Sequence, residues 1–262
     1  MIRRVEIPGG FYFIHFLPKP SKKHIIKAKT LSNKRNKFMK KLLTFAAVAI
    51  AAMLFVAPTA FAAEFIAPDE ESGNVTLSNG ETHKNVYIAG GSIFINSNIT
   101  GDLYGAGGTI IVEGNVEQDV VIAGGTVTIN GQVGGDIRVA GGNIIINGAV
   151  GGDVVMGGGT LHLTEKANVT GDLVAGAGET TVDATVVGNV KIAGGVVTLN
   201  SSLLGKIDVM ADQSFTIGSK AIIANDITYK GTKEAVVQDG AQVKAVNFEK
   251  LPEHRGGQVG AM

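Results

Sequence analysis

An all-β fold, a parallel β-helix (solenoid) of about nine 17-residue coils, is predicted by three observations. The sequence repeats at a fixed period, apolar residues fall in the same columns of each repeat, and glycine is about twice as frequent as usual. Of 262 residues, 37 are Gly and only 6 are Pro, and 45% are apolar. That balance excludes a collagen and a disordered chain.

The first element in chain order is a targeting segment. Residues 1–62 hold 12 Lys/Arg and one acid, whereas residues 63–262 hold 11 Lys/Arg and 22 acids. Met39-Lys40-Lys41 forms a positive start, Leu42 to Val56 an apolar run, and Ala60-Phe61-Ala62 a small-x-small cleavage pattern. Residues 39–62 therefore read as a signal peptide cleaved near Ala62, and residues 1–38 as a basic upstream extension outside the mature protein. An uncleaved signal anchor is the alternative, although the apolar run is shorter than the ~20 residues of a full span. The expected location is the periplasm, cell envelope or extracellular space. Membrane attachment is expected only through an unprocessed leader. The acidic body disfavours a nucleic-acid partner, because phosphate binding needs a basic face.

Residues 63–74 read as an N-terminal linker or cap, 75–245 as the β-helix and 246–262 as a flexible C-terminal tail. Repeats begin at Val86, Leu103, Val120, Ile137, Val154, Leu173, Val190, Ile207 and Ile227, with a degraded half-copy from Asn74 to Gly80. The period is 17, with two extra residues in the fifth copy and three in the eighth. Within a copy the apolar columns are positions 1, 3, 8, 10 and 14. The pairs 1/3 and 8/10 alternate as strands do, and position 14 marks a third short side. Gly at positions 5 and 6, as in Gly124-Gly125, reads as a corner that uses positive φ. One coil cannot bury its inward residues alone, so the coils stack. The predicted core columns include Val120, Ile122, Val127, Ile129, Val133, Ile137, Ile144 and Ile146.

The 17-residue coil, its GG corners and its closing Gly-Asp (Gly101-Asp102, Gly135-Asp136, Gly152-Asp153, Gly171-Asp172) resemble the bactofilins, the polymer-forming cytoskeletal proteins. The resemblance covers about Val75 to Val243. It implies a right-handed, three-sided β-helix whose coils stack end to end into nonpolar filaments without nucleotide, with no catalytic residues. The export signal departs from that family, which is usually cytoplasmic or bound to the inner side of the membrane.

Outward positions supply the candidate sites. The column Asp102, Asp119, Asp136, Asp153 and Asp172 could form a cation ladder, but its spacing fits no calcium-binding β-roll. Each Asp is expected instead to cap its own turn. The column Asn96, Glu113, Asn130, Asn147, Thr164, Asp183 and Asn200 reads as a side-chain ladder along the stack. His162 reads as a solvated residue. Tyr87, Phe94, Tyr104 and Ile111 give the N-terminal coils an exposed apolar patch, a possible association surface.

No nucleophile elbow, metalloprotease, phosphate-loop or dinucleotide motif stands in a fitting context. With no Cys there is no thiolate chemistry. No cofactor, metal site or enzymatic activity is expected. The sequence points to a structural envelope protein that assembles with itself end to end. The alternative is a monomeric secreted adhesin or polysaccharide-binding module that meets cell-wall or surface glycans.

Overall fold

The computed structural model describes residues 63–252. Every strand pairing in it is parallel, and the strands stack as a β-solenoid of about 10 turns with ~17 residues per turn. One sheet of 13 strands carries two sides of each turn, and a six-stranded sheet of short strands carries the third. Isolated bridges Ile99↔Val116, Val116↔Val133 and Val133↔Val150 complete that third side. At ~4.8 Å per rung the stack is about 45 Å tall.

The repeat sets the register directly. Val120 pairs with Ile137, and Ile137 with Val154, so like positions lie on like positions. Inside the stack Val120, Ile122, Val127, Ile129, Val133, Ile137, Ile144 and Ile146 are all no more than 3% exposed. The aliphatic columns thus form one continuous core, whose burial drives the fold.

The corner differs from the sequence reading. The expected two strands per coil are one unbroken strand of 10 residues, as in Val120–Ile129. Inward positions 1 and 3 are followed by inward positions 8 and 10, an odd step that a flat strand would send to opposite faces. The ribbon therefore turns around the core between them, and the pairing register skips Gly125 and Gly142 there. None of the corner glycines has positive φ. Among the described residues only Gly73, Gly80 and Gly240 do. The corner needs glycine for clearance: a Cβ on Gly107 would stand 2.7 Å from the carbonyl oxygen of Gly90, and one on Gly125 2.8 Å from that of Gly108.

The irregular copies absorb their extra residues locally. In the fifth copy the chain makes a turn in which the Ala167 N–H donates to the Thr164 carbonyl. In the eighth copy the strand lengthens to Ile207–Ile217, with a bulge facing Gly194–Val196 and a second turn at Gly218–Ala221.

Both expected domain edges move outward. Glu64–Ile66, assigned to a linker or cap, is a strand paired with Val86–Ile88. Val246–Lys250, assigned to a flexible tail, is a strand on Ile227–Gly231. Apolar alternation explains both, since Ile66, Val246 and Phe248 pack against the core. The C-terminal interior changes from aliphatic to aromatic. The Phe215 ring packs tilted against Tyr229 at 4.8 Å, Phe248 stacks on Tyr229 at 5.3 Å, and the Tyr229 hydroxyl donates to the Lys233 carbonyl at 2.9 Å. The expected leader, its cleavage point and residues 253–262 lie outside the described residues.

Candidate functional surface

Two outward hydrogen-bond ladders, an aromatic stack and several grooves carry the surface chemistry of the described residues. The Asp column does not cap its own turns. Each Oδ1 accepts the backbone N–H of the equivalent residue one coil on: Asp119 to Asp102, Asp136 to Asp119, Asp153 to Asp136 and Asp172 to Asp153, at 2.7–3.1 Å. Asn85 begins the series and Asn189 ends it by accepting from Lys206. Those N–H groups face along the stack, where no strand carbonyl reaches them, and a short acceptor on the neighbouring rung does. Arg138 neutralises part of the column, with its Nη2 2.9 Å from Asp136 and its Nη1 3.8 Å from Asp119.

The second ladder runs through side-chain amides. Asn130 donates to Glu113, Asn147 to Asn130 and the Thr164 hydroxyl to Asn147, at 2.6–2.7 Å. It resumes with Asn200 donating to Asp183 at 3.1 Å. The gap falls at the insertion of the fifth copy, and His162 fills it. Its Nε2 lies 2.8 Å from Asp183 Oδ2, so His162 is a ladder member and not a free solvated ring.

The apolar patch divides in two. Tyr87 and Tyr104 stand at position 2, before the corner, and Phe94 and Ile111 at position 9, after it. The turn between those positions puts the pairs on different sides. Phe94 pairs with Ile111 across neighbouring rungs and is 38% exposed. On the other side Phe65 joins the tyrosines. The rings of Phe65 and Tyr87 stack at 5.0 Å and those of Tyr87 and Tyr104 at 4.7 Å, with planes 26° and 9° apart. Phe65 was missed because it lies upstream of the first recognisable repeat. Its signal is a lone aromatic two residues into a strand-like Glu64-Phe65-Ile66. A groove of about 540 Å³ runs beside the stack, lined mainly by Phe65, Pro68, Tyr87, Tyr104 and Val121. The carboxylate of Asp102 pushes the Tyr104 phenol above its ordinary pKa.

The stack constrains what can bind. A sugar ring packs on the face of an aromatic ring, but here Phe65 covers one face of Tyr87 and Tyr104 covers the other. Only Phe65, 78% exposed, has a broad open face. Two further grooves are an amide-lined one beside Asn115, Gln132 and Asn168, and a larger one of about 1060 Å³ between the glycine corner and Asp212, Lys233 and Pro252. Among the described residues no group of three or more His, Asp or Glu is placed to hold a metal ion. Nor is any helix there long and apolar enough to cross a membrane. No known family, characterised protein or solved structure matches the chain.

Proposed function

We propose that the chain is a non-enzymatic structural protein of the cell envelope, a β-solenoid that associates with itself through its ends. One observation carries the reading: one continuous, mainly aliphatic core runs along the stack, and among the described residues no further strand covers the outer edges of the terminal rungs. Such a stack is stiff, and its terminal rungs offer backbone groups for strand addition. The shape of the 17-residue coil, which resembles the bactofilins, supports self-association. The pattern of residues 39–62 supports export.

The alternative is a monomeric polysaccharide-binding module, which the groove beside Phe65 favours. It takes second place because the rings there are stacked on one another, which leaves Tyr87 without an open face. Negative-stain electron microscopy and sedimentation over a range of concentrations, with and without calcium, separate the two. Assemblies that form without nucleotide or calcium are the expected result. A monomer at every concentration would sink the proposal and direct ligand searches to Phe65 and Tyr87.

A further inference from the structure

The dipeptide Asn-Gly occurs three times, as Asn79-Gly80, Asn130-Gly131 and Asn147-Gly148. An asparagine before glycine readily loses its side-chain amide, because no side chain shields the glycine nitrogen from the amide carbon. The reaction has three requirements. The side chain must be free to swing over the next main-chain nitrogen, the hydrogen on that nitrogen must not be held elsewhere, and a ring must have room to form. The fold meets them at one pair and denies them at the other two.

Asn130 and Asn147 are held by the amide ladder. Asn130 Nδ2 donates to Glu113 at 2.7 Å and Asn147 Nδ2 to Asn130 at 2.6 Å, while Asn147 Oδ1 accepts from the Thr164 hydroxyl. The Gly131 N–H donates to the Val112 carbonyl and the Gly148 N–H to that of Ile129, both at 3.2 Å. Both glycines are buried, and a Cβ on Gly148 would run into the carbonyl of Gly131. A pair in that setting reacts only when its rung opens.

Asn79-Gly80 carries none of these restraints. It lies in the link between the strands Val75–Leu77 and Thr82–His83 of the first rung, and residues 78–81 are all exposed. Among the described residues neither the Asn79 side chain nor the Gly80 N–H has a hydrogen-bond partner. Gly80 takes the left-handed backbone, with φ +97°, and nothing lies within 4 Å of a Cβ added there.

We propose that Asn79 is a site of spontaneous modification by water, and that the fold confines the reaction to this pair of the three. The Gly80 nitrogen gives up its proton and attacks Asn79 Cγ. The Cγ–Nδ2 bond breaks, ammonia leaves with the proton, and a cyclic imide remains. Water then adds to one of the imide carbonyls and breaks its bond to nitrogen, which gives aspartate or isoaspartate. No oxidant or reductant takes part. Either product adds a carboxylate two residues from Glu81, whose Oε2 lies 3.6 Å from His83 Nε2. The isoaspartate product also adds one atom to the main chain where it crosses between two sides of the first rung. That rung therefore gains charge and length with age, and the ladder asparagines do not.

The test holds the full chain at mildly alkaline pH, folded or in urea, and samples it over days. Peptide mass spectrometry reads each pair by the mass gained when water replaces ammonia, and isoaspartyl methyltransferase labels the isoaspartate. In the folded chain Asn79 is expected to convert at least tenfold faster than Asn130 or Asn147. In urea the three are expected to convert at similar rates. Asn79→Gln is expected to remove most of the label from the folded chain. An Asn79 that stays intact in the folded chain overturns the proposal, as does a matching rate at Asn130 or Asn147. The same preference for Asn79 in urea would belong to the local sequence and overturn the role given to the fold.

Discussion

At the residue scale, clearance between rungs decides which substitutions the fold accepts. A second glycine column, Gly114, Gly131 and Gly148, follows the amide ladder. A Cβ on Gly131 would run into the carbonyl of Gly114, backbone that cannot step aside without breaking register. Gly131→Ala should cost about 3 kcal/mol, the upper end for overpacking. Gly176 is the contrast: nothing lies within 4 Å of its added Cβ, and its φ is not positive. Gly176→Ala should therefore be neutral or stabilise by about 0.5 kcal/mol through the unfolded state. Urea midpoints of the two variants settle the comparison, and equal effects would refute the clearance argument. Thr180 makes the opposite case inside the core. It stands in the column between Leu161 and Val197, fully buried, and its hydroxyl has no hydrogen-bond partner. Thr180→Val keeps the shape and removes the orphan, so it should stabilise by about 1 kcal/mol, seen as a raised melting temperature.

At the scale of the single rung, side chains do work that the strand ladder leaves undone. The Asp column shows it. Asp136 accepts the Asp153 N–H, and an Asn in its place offers the same acceptor without the charge. Asp136→Asn should hold stability within about 0.5 kcal/mol, whereas Asp136→Ala should lose about 1–2 kcal/mol by stranding that N–H. Calcium should shift neither melting curve. If Asn destabilises as much as Ala, or if calcium stabilises only wild type, charge and not the acceptor governs the column. The C-terminal rung carries a pH signature. Burial pushes the Tyr229 phenol above its ordinary 10.0. The stabilisation of that neutral phenol is fully present below pH 10 and is lost as pH rises towards the folded-state value. Tyr229→Phe should accordingly flatten the fall in melting temperature above pH 10 relative to wild type. These ladders also mark how far the sequence could be read. Columns of Val, Ile and Leu returning at one period announce a core, because burial acts on residue type alone. The direction of the Asp bonds was illegible, since an Asp that caps its own turn and one that caps the next rung have the same pattern. The glycine corner was legible as a corner but not for its cause, because clearance depends on a neighbour 17 residues away. Phe65 and Phe248 were missed for a simpler reason: the rungs that hold them are too short to display a period.

At the scale of the whole molecule, the solenoid is a sum of like rungs, each touching only its neighbours. This predicts a tolerance that globular folds lack. Deleting one complete coil, residues 137–153, joins Asp136 to Val154 in place of Asp153, so the same residue type precedes the same strand. Val121 would then meet Val155, and Asp136 would offer its Oδ1 to the Asp172 N–H as Asp153 does now. Every inward column keeps its register, and the stack simply shortens by ~4.8 Å. The shortened chain should fold with unchanged strand content by circular dichroism and unfold in one transition at a somewhat lower denaturant concentration. Deleting the single residue Thr128 instead moves Ile129 to an outward position and Asn130 to the inward position between Val112 and Ile146. Burial of a polar side chain in that column costs more than the loss of one rung. That variant should fail to melt cooperatively. Equal tolerance of the two deletions would mean that register along the stack is not what holds the rungs together.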